Sequence, residues 1–328
     1  MKNMSKLSIL LLTLAGGCLT GCNSGASGAS TPNSTNLAHN ESSVKSTQDT
    51  SLGYNIGLVI TKDGNLDFYK DDKFISTVWK FEDQPTSVRI ASVGDLDTNK
   101  PFVAYVTTKT EGIAGYSGDG GLLKRCAAAP LSGNGMECVT IDSFEDPVYA
   151  ANLDKKGDGY AISIGESSTI SRYVNNRLVA FTQIPRKLLS KKNLGNIKTY
   201  VAYSNGLEVY NGNLFFVDGR HSRILYNIFG KQDIYYVAEL GENLFSFSVD
   251  KDLNGYGIGK YSLYHILAGR KLDVVHTFED IPLNLSSTGS WIYVVTAGKE
   301  LKRCGTGGDC STIDTFGSTP LGVSFRAL

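Results

Sequence analysis

The sequence is short of the residues on which most functional classes depend. Of 328 residues only four are histidine, three methionine, two tryptophan and eight proline. Neither charge sign is in excess, with 32 Lys plus Arg against 32 Asp plus Glu, so the basic footprint of a nucleic-acid binder is missing and no nucleic-acid partner is expected. No apolar run reaches the ~20 residues that a membrane-spanning helix takes. Catalytic spacings are missing too. There is no GxxxxGK[ST], no HExxH and no SxDxGxTW, and around Ser117 the order Gly115-Tyr116-Ser117-Gly118-Asp119 breaks GxSxG at its last position. His221, His265 and His276 have no ligand spacing between them. His221, in Gly219-Arg220-His221-Ser222, is the best placed of the three for a site, although its position reads first as a loop.

What is present begins with a targeting segment. Lys2 and Lys6 precede the apolar run Leu7 to Leu14, then come small residues Ala15, Gly16 and Gly17, then Leu19-Thr20-Gly21-Cys22. Basic, apolar and small in that order is a secretory signal, with an apolar run too short to span. The ending resembles a bacterial lipobox, which implies cleavage of residues 1–21, lipidation (palmitate among the acyl chains) of Cys22, and attachment to a membrane through that lipid. Asn23, where an inner-membrane retention residue would be Asp, points by the same resemblance to the outer membrane, facing the periplasm or the surface. From Asn23 to Ser51 the chain is mostly Ser, Thr, Asn, Gly and Ala. Such a stretch buries too little apolar surface to offset its ordering entropy. Residues 22–51 therefore read as a flexible tether with a span of roughly 30 Å.

Residues 52–328 change character: Tyr, Phe, Val and Ile recur in short runs punctuated by Gly, Asp and Asn, which is an all-β pattern. Repeats lie within it. Leu123-Lys124-Arg125-Cys126 leads to Cys138-Val139-Thr140-Ile141-Asp142-Ser143-Phe144, and Leu301-Lys302-Arg303-Cys304 leads to Cys310-Ser311-Thr312-Ile313-Asp314-Thr315-Phe316. A second motif overlaps: Phe81-Glu82-Asp83-Gln84-Pro85, Phe144-Glu145-Asp146-Pro147 and Phe278-Glu279-Asp280-Ile281-Pro282. Between these markers strands fall in sets of four, near 147–153, 159–165, 168–174 and 177–183, and again near 243–249, 256–260, 262–268 and 271–278. Units of ~40–45 residues with four strands each predict a single β-propeller over 52–328. Three strands (56–61, 65–70, 74–81) precede the first marker and one orphan (321–327) follows the last. The orphan closes the ring as the inner strand of the first blade, giving six blades. Residues 185–205 and the loop at 108–120 do not fit that count and leave seven open; an array of β-sandwiches is the alternative architecture.

Apart from Cys18 and Cys22, the remaining cysteines are Cys126, Cys138, Cys304 and Cys310. The repeat pairs them as Cys126 with Cys138 and Cys304 with Cys310, each across a hairpin where opposed residues are close enough to bridge, in an exported and hence oxidising setting. No cofactor motif stands out. Asp250, Asp252 and Asn254, followed by Gly255, match the opening of a calcium loop like those of integrin-type propellers, but Ile258 stands where a further oxygen ligand is needed. Asp95, Asp97 and Asn99 match less of it, and Asx-stabilised turns explain both. Calcium at Asp250, Asp252 and Asn254 is the one cofactor candidate. The acidic pairs Glu82 with Asp83, Glu145 with Asp146, and Glu279 with Asp280 sit at the junctions between blades, the face on which propellers usually bind ligands. Arg186, Lys187, Lys191, Lys192 and Lys198 form a basic stretch without an acid, suited to anionic head groups or a partner.

The expectation from the sequence is a lipid-anchored envelope propeller that binds an envelope or surface protein as a scaffold, without catalysis. The rival is a propeller enzyme, lactonase-like or quinoprotein-type, with a metal in its central channel. A third is a carbohydrate-binding module using aromatics such as Tyr116 or Trp291.

Overall fold

The computed structural model describes residues 55–93, 102–110, 120–128, 136–163, 169–183, 207–210, 213–218, 223–228, 234–239, 246–250, 254–267 and 271–328. They form strands β1 (Asn55–Thr61), β2 (Asn65–Lys70), β3 (Lys73–Lys80), β4 (Gln84–Ser92), β5 (Phe102–Thr110), β6 (Gly120–Ala128), β7 (Glu137–Phe144), β8 (Val148–Leu153), β9 (Gly159–Ser163), β10 (Thr169–Val174), β11 (Arg177–Gln183) and β12 (Leu207–Tyr210). The series continues with β13 (Asn213–Asp218), β14 (Arg223–Ile228), β15 (Ile234–Glu239), β16 (Ser246–Val249), β17 (Gly255–Ile258), β18 (Ser262–Leu267), β19 (Lys271–Thr277), β20 (Pro282–Ser287), β21 (Trp291–Thr296), β22 (Glu300–Gly305), β23 (Cys310–Thr315) and β24 (Pro320–Ala327).

These strands pair into antiparallel four-stranded sheets in the orders β24-β1-β2-β3, β4-β5-β6-β7, β8-β9-β10-β11, β12-β13-β14-β15, β16-β17-β18-β19 and β20-β21-β22-β23. Five of them are described with their side-chain packing, and the β12–β15 sheet by its strand pairing. The first strands neighbour one another in the cyclic order β24, β4, β8, β12, β16, β20 and back to β24. The fold is a β-propeller of four-stranded antiparallel blades. The strand beginning at Pro320 lies on the inside of the N-terminal blade, with Ile56 opposite Arg326 and Val59 opposite Val323.

The burial of each strand follows from its place in a blade. A strand flanked by two neighbouring blades has no wet face, so apolar residues follow one another without alternation. In β21, Ile292, Tyr293, Val294 and Val295 are all buried, and in β1 every residue from Ile56 to Thr61 is. At the rim that pressure is gone, and β3 exposes Lys73 to Thr77 in succession. The cores lie between blades. Leu58, Ile60 and Leu66 pack on Val88, Ile90 and Val106, while Val59 and Phe325 pack on Tyr293 and Val295. Burying each such aliphatic side chain contributes about 1.5–3 kcal/mol.

The innermost strands are sheet edges, and their outward backbone groups need partners. Side chains of the adjacent inner strand supply them. Val323 N donates to Asn284 Oδ1 (3.4 Å), Phe325 N to Ser286 Oγ (2.9 Å) and Ile90 N to Ser324 Oγ (3.0 Å). Thr86 Oγ1 donates to the carbonyl of Val148 (2.6 Å), and Asn152 Nδ2 to that of Leu207 (3.1 Å). The constant offset of 39 residues in the first two pairs shows that β20 and β24 run in the same direction.

Tyrosines clamp blade to blade at the rim. Tyr69 on β2 donates to Asp314 on β23 (2.6 Å), and Tyr173 on β10 donates to Asp142 on β7. In return, Tyr293 on β21 donates to Asp72 (2.7 Å), and Tyr105 on β5 to Asn176 (2.8 Å). Asp71-Asp72 and Asn175-Asn176 are two-residue hairpin turns with positive φ throughout, which Asp and Asn tolerate. Two junctions of the ring are thus built alike: β4–β7 onto β8–β11, and β20–β23 onto the N-terminal blade. Arg303 reinforces the second, forming a salt bridge with Asp72 and lying 4.2 Å from the ring centre of Trp291.

Candidate functional site

The polar side chains of the inner strands culminate in a cavity of about 460 Å³. Arg89 on β4, Ser248 and Val249 on β16, Ser286 and Ser287 on β20, and Ser324 to Arg326 on β24 border it. Four successive inner strands wrap around it, so it lies on the ring axis, towards their C-terminal ends. Asp250, Asn254, Tyr256 and His265 complete one wall. His265 stacks on Tyr256 with ring centres 5.1 Å apart, and burial raises the Tyr256 hydroxyl above its ordinary pKa. Arg326 is exposed, and its Nη1 donates to the carbonyl of Ala91 (3.3 Å), which holds the side chain across the seam between β24 and β4. Asp250 accepts the N–H of Asn254 on Oδ1 (3.0 Å), while Asp250 N donates to the Asn254 carbonyl (2.8 Å).

The residues singled out from the sequence fall into separate places. Both expected disulfides are present: Cys126 faces Cys138 across β6 and β7, and Cys304 faces Cys310 across β22 and β23, each with 4.0 Å between Cα atoms. The aspartates of the same repeat, Asp142 and Asp314, receive the clamp tyrosines. The acidic pairs precede inner strands, Glu82 and Asp83 before β4, Glu145 and Asp146 before β8, Glu279 and Asp280 before β20. None of the six borders the cavity, which opens at the other end of those strands. Asp83 lies 3.8 Å from Lys124.

Of the calcium candidates, Asp250 and Asn254 share the turn just described, while Asp252 lies outside the described residues. The related turn at Asp154 is built the same way, its Oδ1 accepting the N–H groups of Lys156 (2.8 Å) and Asp158 (3.0 Å). Among the described residues no group of three or more His, Cys, Asp or Glu side chains is gathered as a metal site would be, and no helix is long and apolar enough to cross a membrane. Cys22, Asp95, Asp97, Asn99, Tyr116, the basic stretch 185–198 and His221 lie outside the described residues. Trp291 has a face covered by Arg303.

Sequence reasoning did not single out Arg89, Arg326 or the serines. The available signal was polar residues at alternate positions of otherwise core-like strands: Ser246 and Ser248, Asn284 and Ser286, Ser324 and Arg326.

No protein-family model matches the sequence, and no curated protein does. Solved structures do share the fold. A chain from the crystal structure of a nidogen/laminin complex superposes with a TM-score of 0.58 at 11% identity, covering 83% of this chain and 98% of that one. A protein of unknown function from Bacteroides caccae gives 0.54 at 11% identity over 83% of this chain and 98% of its own. A functionally unknown protein from Desulfotomaculum acetoxidans DSM 771 gives 0.53 at 11% identity, over 83% and 99%. At such identity the likeness establishes the architecture, a β-propeller.

Proposed function

We propose that this chain is a lipid-anchored, six-bladed propeller of the bacterial envelope that docks a protein partner and does no chemistry of its own. The six-blade count rests on the cyclic order of inner strands and on β24 completing the first blade. Anchoring through Cys22, and an outer-membrane location, rest on Leu19-Thr20-Gly21-Cys22, on Asn23 and on the polar stretch that follows.

The observation that carries the docking role is β11. It is the outer edge of its blade, and it exposes Leu178 (47%), Val179 (53%) and Phe181 (64%) within four residues. An apolar edge strand recruits an extended segment as an added strand. In sequence, β11 leads directly to Arg186, Lys187, Lys191, Lys192 and Lys198, so the segment it suits is acidic. The chain from the nidogen/laminin complex is a propeller of the same architecture from a protein–protein assembly.

The test is photo-cross-linking from position 181 in intact cells, beside a pull-down with Val179→Glu/Phe181→Glu. One envelope protein is expected to cross-link at 181 and to be lost from the double variant at unchanged thermal stability. Identical recoveries from both forms refute the docking role. Cys22→Ser is expected to abolish palmitate incorporation and to move the protein from the membrane to the soluble fraction; retention in the membrane refutes the anchor.

A further inference from the structure

The axial cavity is a second surface with its own chemistry, and it is independent of β11. Two arginines border it, Arg89 and Arg326, and one acidic residue, Asp250; Arg326 Nη1 also donates to the carbonyl of Ala91. The Asp250 carboxylate has Oδ1 engaged by the backbone of its own turn. Ser248, Ser286, Ser287 and Ser324 also border it; Ser286 Oγ is engaged by both the N–H and the carbonyl of Phe325, while Ser324 Oγ and Ser287 Oγ accept the N–H groups of Ile90 and Gly289.

We propose that this cavity binds a sugar acid: a compact ligand bearing several hydroxyls and one carboxylate. The guanidinium groups present planar forks that match a carboxylate and hold it by charge-assisted hydrogen bonds. Ser324 and Ser287, each accepting a backbone N–H, keep a hydroxyl proton to donate to an oxygen of the ligand. Tyr256 and His265, stacked on one another, add an aromatic border to the cavity, which suits the C–H groups of a sugar ring. The volume of about 460 Å³ falls in the range of small-molecule sites and is far larger than a simple inorganic anion fills. Three of the four inner strands that line it, β20, β24 and β4, are joined by side chain–backbone hydrogen bonds, so their groups are held in place before a ligand arrives and little ordering entropy opposes binding.

The chemistry is shared by a free sugar acid and by the terminal residue of an acidic glycan. Calorimetric titration of the full mature chain with D-glucuronate, D-galacturonate and a galacturonate tetramer separates the two sources. D-glucose and acetate are the control arms. The monomeric acids are expected to bind at least tenfold more tightly than glucose and than acetate, because one charge-assisted pair is worth about a factor of ten or more. The tetramer binding more tightly than the monomers marks the glycan as the source; equal or weaker binding marks the free acid. Arg89→Gln and Arg326→Gln are each expected to weaken glucuronate about tenfold while the protein still unfolds cooperatively, Arg326→Gln losing no more stability than its one bond to the Ala91 carbonyl represents. If Arg89→Gln does not fold, exposed Arg326 and the wild-type ligand series decide the matter. Glucose or acetate binding as tightly as glucuronate overturns the proposal. So does the absence of heat up to about 10 mM acid, weaker than any affinity that two guanidinium contacts imply, and so does undiminished glucuronate binding by Arg326→Gln.

Discussion

Raising the pH should open this ring at its clamps. Tyr69, Tyr173 and Tyr293 are each no more than 1% exposed. Burial first, and then donation to the carboxylates of Asp314, Asp142 and Asp72, holds their phenols protonated well above the usual range. In the unfolded chain the same phenols ionise near pH 10. The folded state therefore keeps protons that the unfolded chain releases, and the stability they represent is complete below about pH 10 and falls as pH rises beyond it. Each phenol withdraws about 1.4 kcal/mol per pH unit, so three withdraw about 4 kcal/mol per unit. Against the ~5–15 kcal/mol of an ordinary domain, the first unit removes between about a quarter and four fifths. Urea denaturation from about pH 8 to pH 11, followed by tryptophan fluorescence with tyrosinate absorbance in parallel, reads both quantities. Tyr69→Phe keeps the ring packed, costs about 1.5–3 kcal/mol at neutral pH through the lost bond to Asp314, and should flatten the alkaline slope by about a third. Tyrosinate absorbance that rises to completion near pH 10 with no change in the urea midpoint would falsify this account of the clamps.

Two further predictions concern the same junctions. A Cβ on Gly57 would overlap the ring of Phe325, which is stacked on Tyr293 at 3.6 Å; Gly57→Ala should cost about 1–3 kcal/mol by overpacking, seen as a lower urea midpoint with an unchanged slope. The disulfides close short loops, with sequence separations of 12 for Cys126–Cys138 and 6 for Cys304–Cys310. Replacing either pair by alanine should cost about 2–3 kcal/mol, slightly more for the longer loop, and double-alanine variants equal in stability to the parent would contradict the chain-entropy account.

Strand positions were legible because blade interiors and hairpin turns leave local marks. Strands expected near 147–153 and 177–183 form at Val148–Leu153 and Arg177–Gln183, and the orphan expected at 321–327 is β24 at Pro320–Ala327. The disulfide pairing was legible because the repeat sets the partners side by side. The role of Asp142 and Asp314 was not. The pattern announces that these aspartates recur, but their partners belong to the next blade, and for Asp314 that blade begins at the other end of the body, 245 residues away. The cavity was hidden for a related reason. Arg89, Ser248, Ser286 and Arg326 lie on four strands from distant parts of the sequence, and each taken alone reads as a polar break in a core strand. The acidic pairs drew attention because they are contiguous, yet the cavity opens at the opposite ends of the inner strands.

The last strand also has a meaning in time. The N-terminal blade is assembled from both ends of the body, with Asn55 opposite Ala327. Until β24 emerges, β1 is an uncovered edge, and Tyr69 has no Asp314 to hold until β23 has been made. A chain threaded across a membrane from its N-terminus would deliver that strand last, so local hairpins can form early while closure waits for the whole body to arrive, the slow and non-local step of folding. During that interval β1 is the segment most open to pairing with a neighbouring chain. The closing strand therefore sets how long a newly made molecule stays vulnerable, as well as how stable it is once shut.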